Sequence, residues 1–120
     1  MSTTYNPLIQ QNATWEIYAT IKMANGDVFN LSNYRGQSQI RDSSGTILAT
    51  PTVTITDPSN GVLKISMTTT QTSTLPVTEV TTKPIQPSWD VLIGNTDSSK
   101  VYLILSGNIT VKPGTTIWVP

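Results

Sequence analysis

Four aspartates stand where small polar residues and glycine cluster: Asn25-Gly26-Asp27, Asp42-Ser43-Ser44-Gly45, Asp57-Pro58-Ser59-Asn60-Gly61 and Asn95-Thr96-Asp97-Ser98-Ser99. Two carboxylates brought together could share general acid and general base work, because each would shift the other's pKa. Turn chemistry explains their positions more simply: an aspartate side chain accepts from backbone N–H groups just ahead of it and so favours tight turns. Histidine and cysteine are both absent. That excludes disulfides, thiolate chemistry, zinc fingers, Ser-His-Asp triads and histidine general bases. No Asp-x-Asp-x-Asp-Gly loop offers a calcium site, and no glycine pattern cradles a phosphate. No catalytic residue, metal or cofactor is expected.

One pair of charges has a sharper role open to it. Arg41 ends an expected strand beside Ile40, and Asp90 lies between Trp89 and Val91. Together they would form a buried or half-buried ion pair fixing strand register; apart, they are two solvated charges at strand ends. The triplets Asn12-Ala13-Thr14, Asn30-Leu31-Ser32 and Asn108-Ile109-Thr110 match the glycosylation pattern. With no secretion signal at the N-terminus they read as chance matches.

The elements that must position these residues are strands. From Thr14 to Met23, Trp15, Ile17, Ala19, Ile21 and Met23 alternate with polar residues and Tyr18, a period of two. Asn25-Gly26 turns the chain, Phe29 and Leu31 anchor it, and Tyr34 to Arg41 returns as a strand in which no helical stripe is visible. Ile47–Ala49 and Val53–Thr56 are short strands, with Pro51 marking an edge. Val62–Met67 points Leu63, Ile65 and Met67 inward. Thr69 to Leu75 is the one place for a helical turn, capped by threonine with Leu75 tucked beneath. Val77 to Pro87 is a long loop or extended edge segment. Ser88–Ile93 carries Trp89, Val91 and Ile93 on one face. Lys100–Leu105 is the most apolar strand, expected to be central and buried on both sides near its middle, Gly107 reads as a bulge, Ile109–Val111 continues it, and Thr115–Val119 exits. This pattern predicts an all-β, two-sheet antiparallel sandwich of about seven or eight strands.

At 120 residues the chain makes one domain. Residues 1–13 form an extended N-terminal arm and residues 14–120 the sandwich. The arm is either a frayed terminus or a segment lent to a neighbouring subunit through Tyr5, Leu8 and Ile9. Trp118 either seals the end of the sandwich or projects into a neighbour. Seven acidic residues balance seven basic ones, and only 12% of the chain is charged. Nothing in that balance calls for nucleic acid or an anionic membrane. No apolar run approaches the length of a bilayer span. A surface of hydroxyls and amides suits contact with other protein copies, since little charge must be desolvated. A glycan-binding module would need a row of exposed aromatics, and Trp15 and Trp89 fall on inward faces.

Gly26, Phe29-Asn30-Leu31, Tyr34 and Gln39-Ile40-Arg41 together resemble the N-terminal domain of upper baseplate proteins and related tail proteins of tailed bacteriophages. Ser59-Asn60-Gly61-Val62-Leu63-Lys64-Ile65, Thr69 to Leu75, Ser88-Trp89-Asp90-Val91 and Leu105 to Thr116 extend the resemblance in order over residues 14–118. The resemblance implies an immunoglobulin-like sandwich and a non-enzymatic virion structural protein. It would be assembled in the host bacterial cytoplasm and dock into a tail, baseplate or neck through sheet edges and terminal arms. Capsid decoration (cement) by the same fold is the alternative, and a glycan-binding module a second. In that family the domain usually continues into a coiled coil or receptor-binding part, whereas this chain stops at Pro120, which favours a free-standing component. Partners would be other phage structural proteins and further copies of the chain, as trimers or hexamers. No small-molecule ligand is expected.

Overall fold

A computed structural model describes residues 3–78, 86–116 and 119. The chain begins with two short strands, β1 (Thr3–Thr4) and β2 (Leu8–Gln10), and continues into β3 (Trp15–Thr20). The Asn25-Gly26 turn forms with Gly26 at φ 90°, closed by Met23 N–H on the Asp27 carbonyl. The chain then crosses to the other layer as β4 (Tyr34–Arg41). Next come β5 (Ile47–Ala49), β6 (Thr52–Asp57), a 3₁₀ turn at Pro58–Asn60, β7 (Val62–Met67) and helix α1 (Thr69–Ser73). The chain closes with β8 (Ser88–Asn95), β9 (Val101–Asn108) and β10 (Thr110–Lys112).

One layer is a five-stranded sheet in the order β1-β9-β8-β4-β5, and the other is three-stranded, β3-β7-β6. A short ladder joins β2 and β10. This is an immunoglobulin-like sandwich with one short helical turn. Pro51 lies where the chain leaves β5, at the edge of one sheet, for β6, at the edge of the other. Such a position requires no ladder bond from a proline nitrogen.

Alternation decides which side chains meet in the middle. Leu63, Ile65 and Met67 of β7 are buried, as are Trp89, Val91 and Ile93 of β8. Each such side chain contributes about 1.5–3 kcal/mol relative to exposure. Two aromatic groups flank this layer. Trp15 meets Trp89 edge-on at 5.7 Å, while Phe29 meets Tyr34 at 5.2 Å and Tyr102 at 5.9 Å. Helix α1 carries the expected threonine cap. Gln71 N–H donates to Thr68 Oγ1, and the Gln71 side chain accepts from Thr68 N–H. Leu75 is buried after the helix, and the buried Thr72 donates its hydroxyl to the Ala13 carbonyl.

The N-terminal segment departs from expectation. It is extended, but it lies on its own domain, parallel to the last two strands. Thr3 pairs with Leu105 and Thr4 with Ser106; Leu8, Ile9 and Gln10 pair with Thr110, Val111 and Lys112. Between these stretches Tyr5 N–H donates to Ser106 O, Asn108 N–H to Asn6 Oδ1, and Thr110 N–H to Pro7 O. The sandwich is thus antiparallel except at this edge. Gly107 is not a bulge: it pairs with Trp89 in register. A side chain there would run into the Tyr5 carbonyl, so the glycine admits the passing backbone. The true bulge lies at Ile104, between the pairs Val91–Leu105 and Leu92–Leu103, and leaves Ile104 and Leu105 both buried. Most of the Val77–Pro87 segment and Trp118 lie outside the described residues.

If Gly107 holds this slot open, Gly107→Ala lowers stability by about 2 kcal/mol, the cost of overpacking. Hydrogen exchange should locate the loss first at the amides of Tyr5 and Gln11, which donate to Ser106 and Lys112, with the β7–β8 core protected longest.

Candidate interaction face

Register places four rungs across the outer face of the five-stranded sheet. Arg35 lies opposite Gly94 and Val101, Gln37 opposite Leu92 and Leu103, Gln39 opposite Asp90 and Ser106, and Arg41 opposite Ser88 and Asn108. Their even-numbered neighbours on β4 turn inward, where Ser38 and Ile40 are buried. Strand alternation therefore delivers arginine, glutamine, glutamine and arginine to one side of the sheet.

Three shallow depressions of about 210, 240 and 400 Å³ follow one another along these rungs. The first two share Gln37 and Leu92, and the last two share Gln39 and Asp90, so they form one trough. Gly94 keeps the floor low at one end. Contrary to the expectation of a central strand buried on both sides, β9 lies next to the edge strand and turns one face outward: Val101 and Leu103 are 55% and 41% exposed and make an apolar border along it. The face carries two guanidiniums against one carboxylate.

Arg41 is held in place, but not by Asp90. Its guanidinium donates to Gln39 Oε1 at 2.8 and 3.2 Å and to the Gly45 carbonyl at 2.8 Å. Both Arg41 and Asp90 are exposed, and Asp90 stands one rung away, opposite Gln39. The buried ion pair is therefore replaced by two solvated charges on a common face. The Gly45 carbonyl is presented by a turn that Asp42 organises. Asp42 Oδ1 accepts from Ser44 Oγ at 2.7 Å, Thr46 N–H at 2.9 Å and Ser44 N–H at 3.0 Å. The Ser44 hydroxyl first, then the Thr46 amide, hold the Asp42 carboxyl below its ordinary value. Ser99 does the same for Asp97 through its hydroxyl and amide. Asp42 and Asp97 thus serve the backbone, whereas Asp27 accepts from the Asn25 side chain and Asp57 from the side chains of Ser59 and Asn60.

Of the expected subunit contacts, Ile9 is wholly buried in the core and is not available to a neighbour in this form. Tyr5 is 42% exposed, and its ring meets Trp89 edge-on at 6.3 Å. Leu8 is exposed and Trp118 lies outside the described residues. On the opposite sheet Thr52, Thr54 and Thr56 point outward, as β-branched polar residues suit. Tyr18 is exposed there beside Glu16, Thr20 and Lys64, and it lines one shallow depression with the partly exposed Tyr5. Among the described residues no group of three or more His, Cys, Asp or Glu side chains is placed to hold a metal ion. The outer face thus presents planar donors, amides and an apolar border together. Sequence reasoning passed over Arg35, Gln37, Val101 and Leu103, although the every-second-residue spacing of 35, 37, 39 and 41 was there to read.

No family model matches the chain, and no curated protein matches it. Among solved structures it is similar to the Lin-41 filamin domain, at 17% identity and TM-score 0.42, over 85% of this chain and 81% of that one. It is also similar to the N-terminal Ig1-2 module of the Drosophila receptor protein tyrosine phosphatase DLAR, at 10% identity and TM-score 0.40. That match covers 92% of this chain and 46% of the other, so the chain spans less than half of the module's length.

Two outcomes are expected. Single and double alanine variants at Arg41 and Asp90 should have stability effects that add within about 0.5 kcal/mol in denaturant titrations, as for uncoupled sites. The contribution of the Asp42 turn, measured as wild type against Asp42→Ala, should be full above the ordinary aspartate value of 3.8. It should shrink as pH falls below that value through the depressed folded pKa, because only the ionised carboxylate is favoured by these bonds.

Proposed function

We propose that this chain is a non-enzymatic structural component of a tailed-phage particle. It docks on neighbouring subunits through the outer face of the five-stranded sheet. The phage assignment rests on the sequence resemblance over residues 14–118. The docking mode rests on the four-rung face, which is the observation that carries the reading. It joins three shallow depressions into one trough, and it presents guanidinium, amide and apolar groups together. Such a surface loses little hydration when covered, because most of its polar groups are uncharged. Complementarity over a broad area, not one deep pocket, would supply the binding. The partners are other structural proteins of the particle and further copies of this chain.

Immunogold labelling of particles from the source culture tests the assignment. Label on tails, baseplates or necks supports it, label on capsids selects the decoration alternative, and unlabelled particles overturn both. Val101→Glu/Leu103→Glu places two charges on the border of the face at exposed positions. The variant should keep its circular dichroism spectrum and melt within a few degrees of wild type. Its incorporation into particles should fall by about tenfold or more, as expected for buried unpaired charge at an interface. Undiminished incorporation would exclude this face as the docking surface.

A further inference from the structure

The segment from Thr3 to Gln11 is attached to the body as a separable part. It follows the last two strands at a constant offset of 102 residues, with Asn6 meeting Asn108 midway. Its slot is shaped for it. Trp89 offers an indole N–H to the Tyr5 carbonyl at 2.9 Å, and Gly107 and Gly114 leave room for the passing backbone. Ile9 plugs the core at the far end. The connection to β3 is a tight turn in which Asn12 is held at φ 66°, a left-handed conformation that favours glycine.

We propose that the same slot accepts this segment from a second copy of the chain, so that copies join by exchanging their N-terminal strands. In the exchanged form every ladder bond and the Trp89–Tyr5 contact reappear between chains. Only the turn around Asn12 changes, opening into an extended hinge and releasing its left-handed residue. A short, strained hinge beside a self-contained strand is the arrangement from which exchange proceeds at low cost. The occupant is specific, because another sequence would have to match Ile9 to its core site while passing both glycines. This inference is independent of the phage reading, since it concerns only how two copies of this chain meet.

The absence of native cysteine permits a direct test. Leu8 and Thr110 are paired in register, one exposed and the other partly so. The double variant Leu8→Cys/Thr110→Cys should close a disulfide within one chain, which verifies the slot and locks exchange out. Separately prepared Leu8→Cys and Thr110→Cys chains, mixed at high concentration under mild oxidation, should give a covalent heterodimer. It should form on the order of tenfold faster than with Thr54→Cys as the second chain, since docked thiols react at an effective concentration that collision does not reach. Asn12→Gly in the Leu8→Cys chain, by relieving the turn, should lower the yield. Heterodimer formation no faster than the Thr54→Cys control, with the double variant still closing within one chain, would show that the slot serves its own chain alone and overturn the proposal.

Discussion

Trp89 is buried, and its indole N–H meets its need for an acceptor in the carbonyl of Tyr5. Much of the architecture depends on that bond. It ties the start of the chain, which pairs at the edge of the five-stranded sheet, to a side chain of that sheet's central strand. It also brings the Tyr5 ring edge-on to Trp89, which in turn meets Trp15 from the opposite layer. Three regions far apart in sequence are thereby tied to one side chain. Gly107 follows from the same constraint, because Tyr5 can reach Trp89 only if the strand beside it has no side chain at that point.

Closing the sheet this way also manages an edge. Without β1 and β2 the backbone of β9 and β10 would present unpaired donors and acceptors, a template for any passing strand. The N-terminal segment covers that template from within. The bonds that protect the edge are main-chain bonds and indifferent to which copy supplies the strand. The ladder that protects the monomer is therefore the one that the proposed exchange with a second copy would use.

The two outer faces divide the remaining work. Threonines on β6 give a solvated face with stiff, β-branched side chains suited to a strand. The opposite face concentrates the arginines and glutamines of β4 beside the exposed Val101 and Leu103. Arg41 is held there by Gln39 and by a turn that Asp42 organises, so its geometry is largely fixed within the chain itself. Preorganised donors of this kind lose less freedom on binding than free side chains do.

The sequence alone carried the inward and outward faces of β3, β7 and β8, the turns at the four aspartates, and the helical turn with its threonine cap and buried Leu75. These are local properties: alternation reports which face a residue occupies, and turn chemistry operates within a few positions. Which strand pairs with which is set by distant contacts that periodicity does not encode, and there only the tertiary structure decided. Leu8-Ile9 is too short a run to announce that Ile9 belongs to the core. Gly107 carries a bulge signal until the backbone of Tyr5 is seen beside it. Arg41 and Asp90 share a face through register alone, while Gln39 and Gly45 sit nearer the guanidinium and hold it.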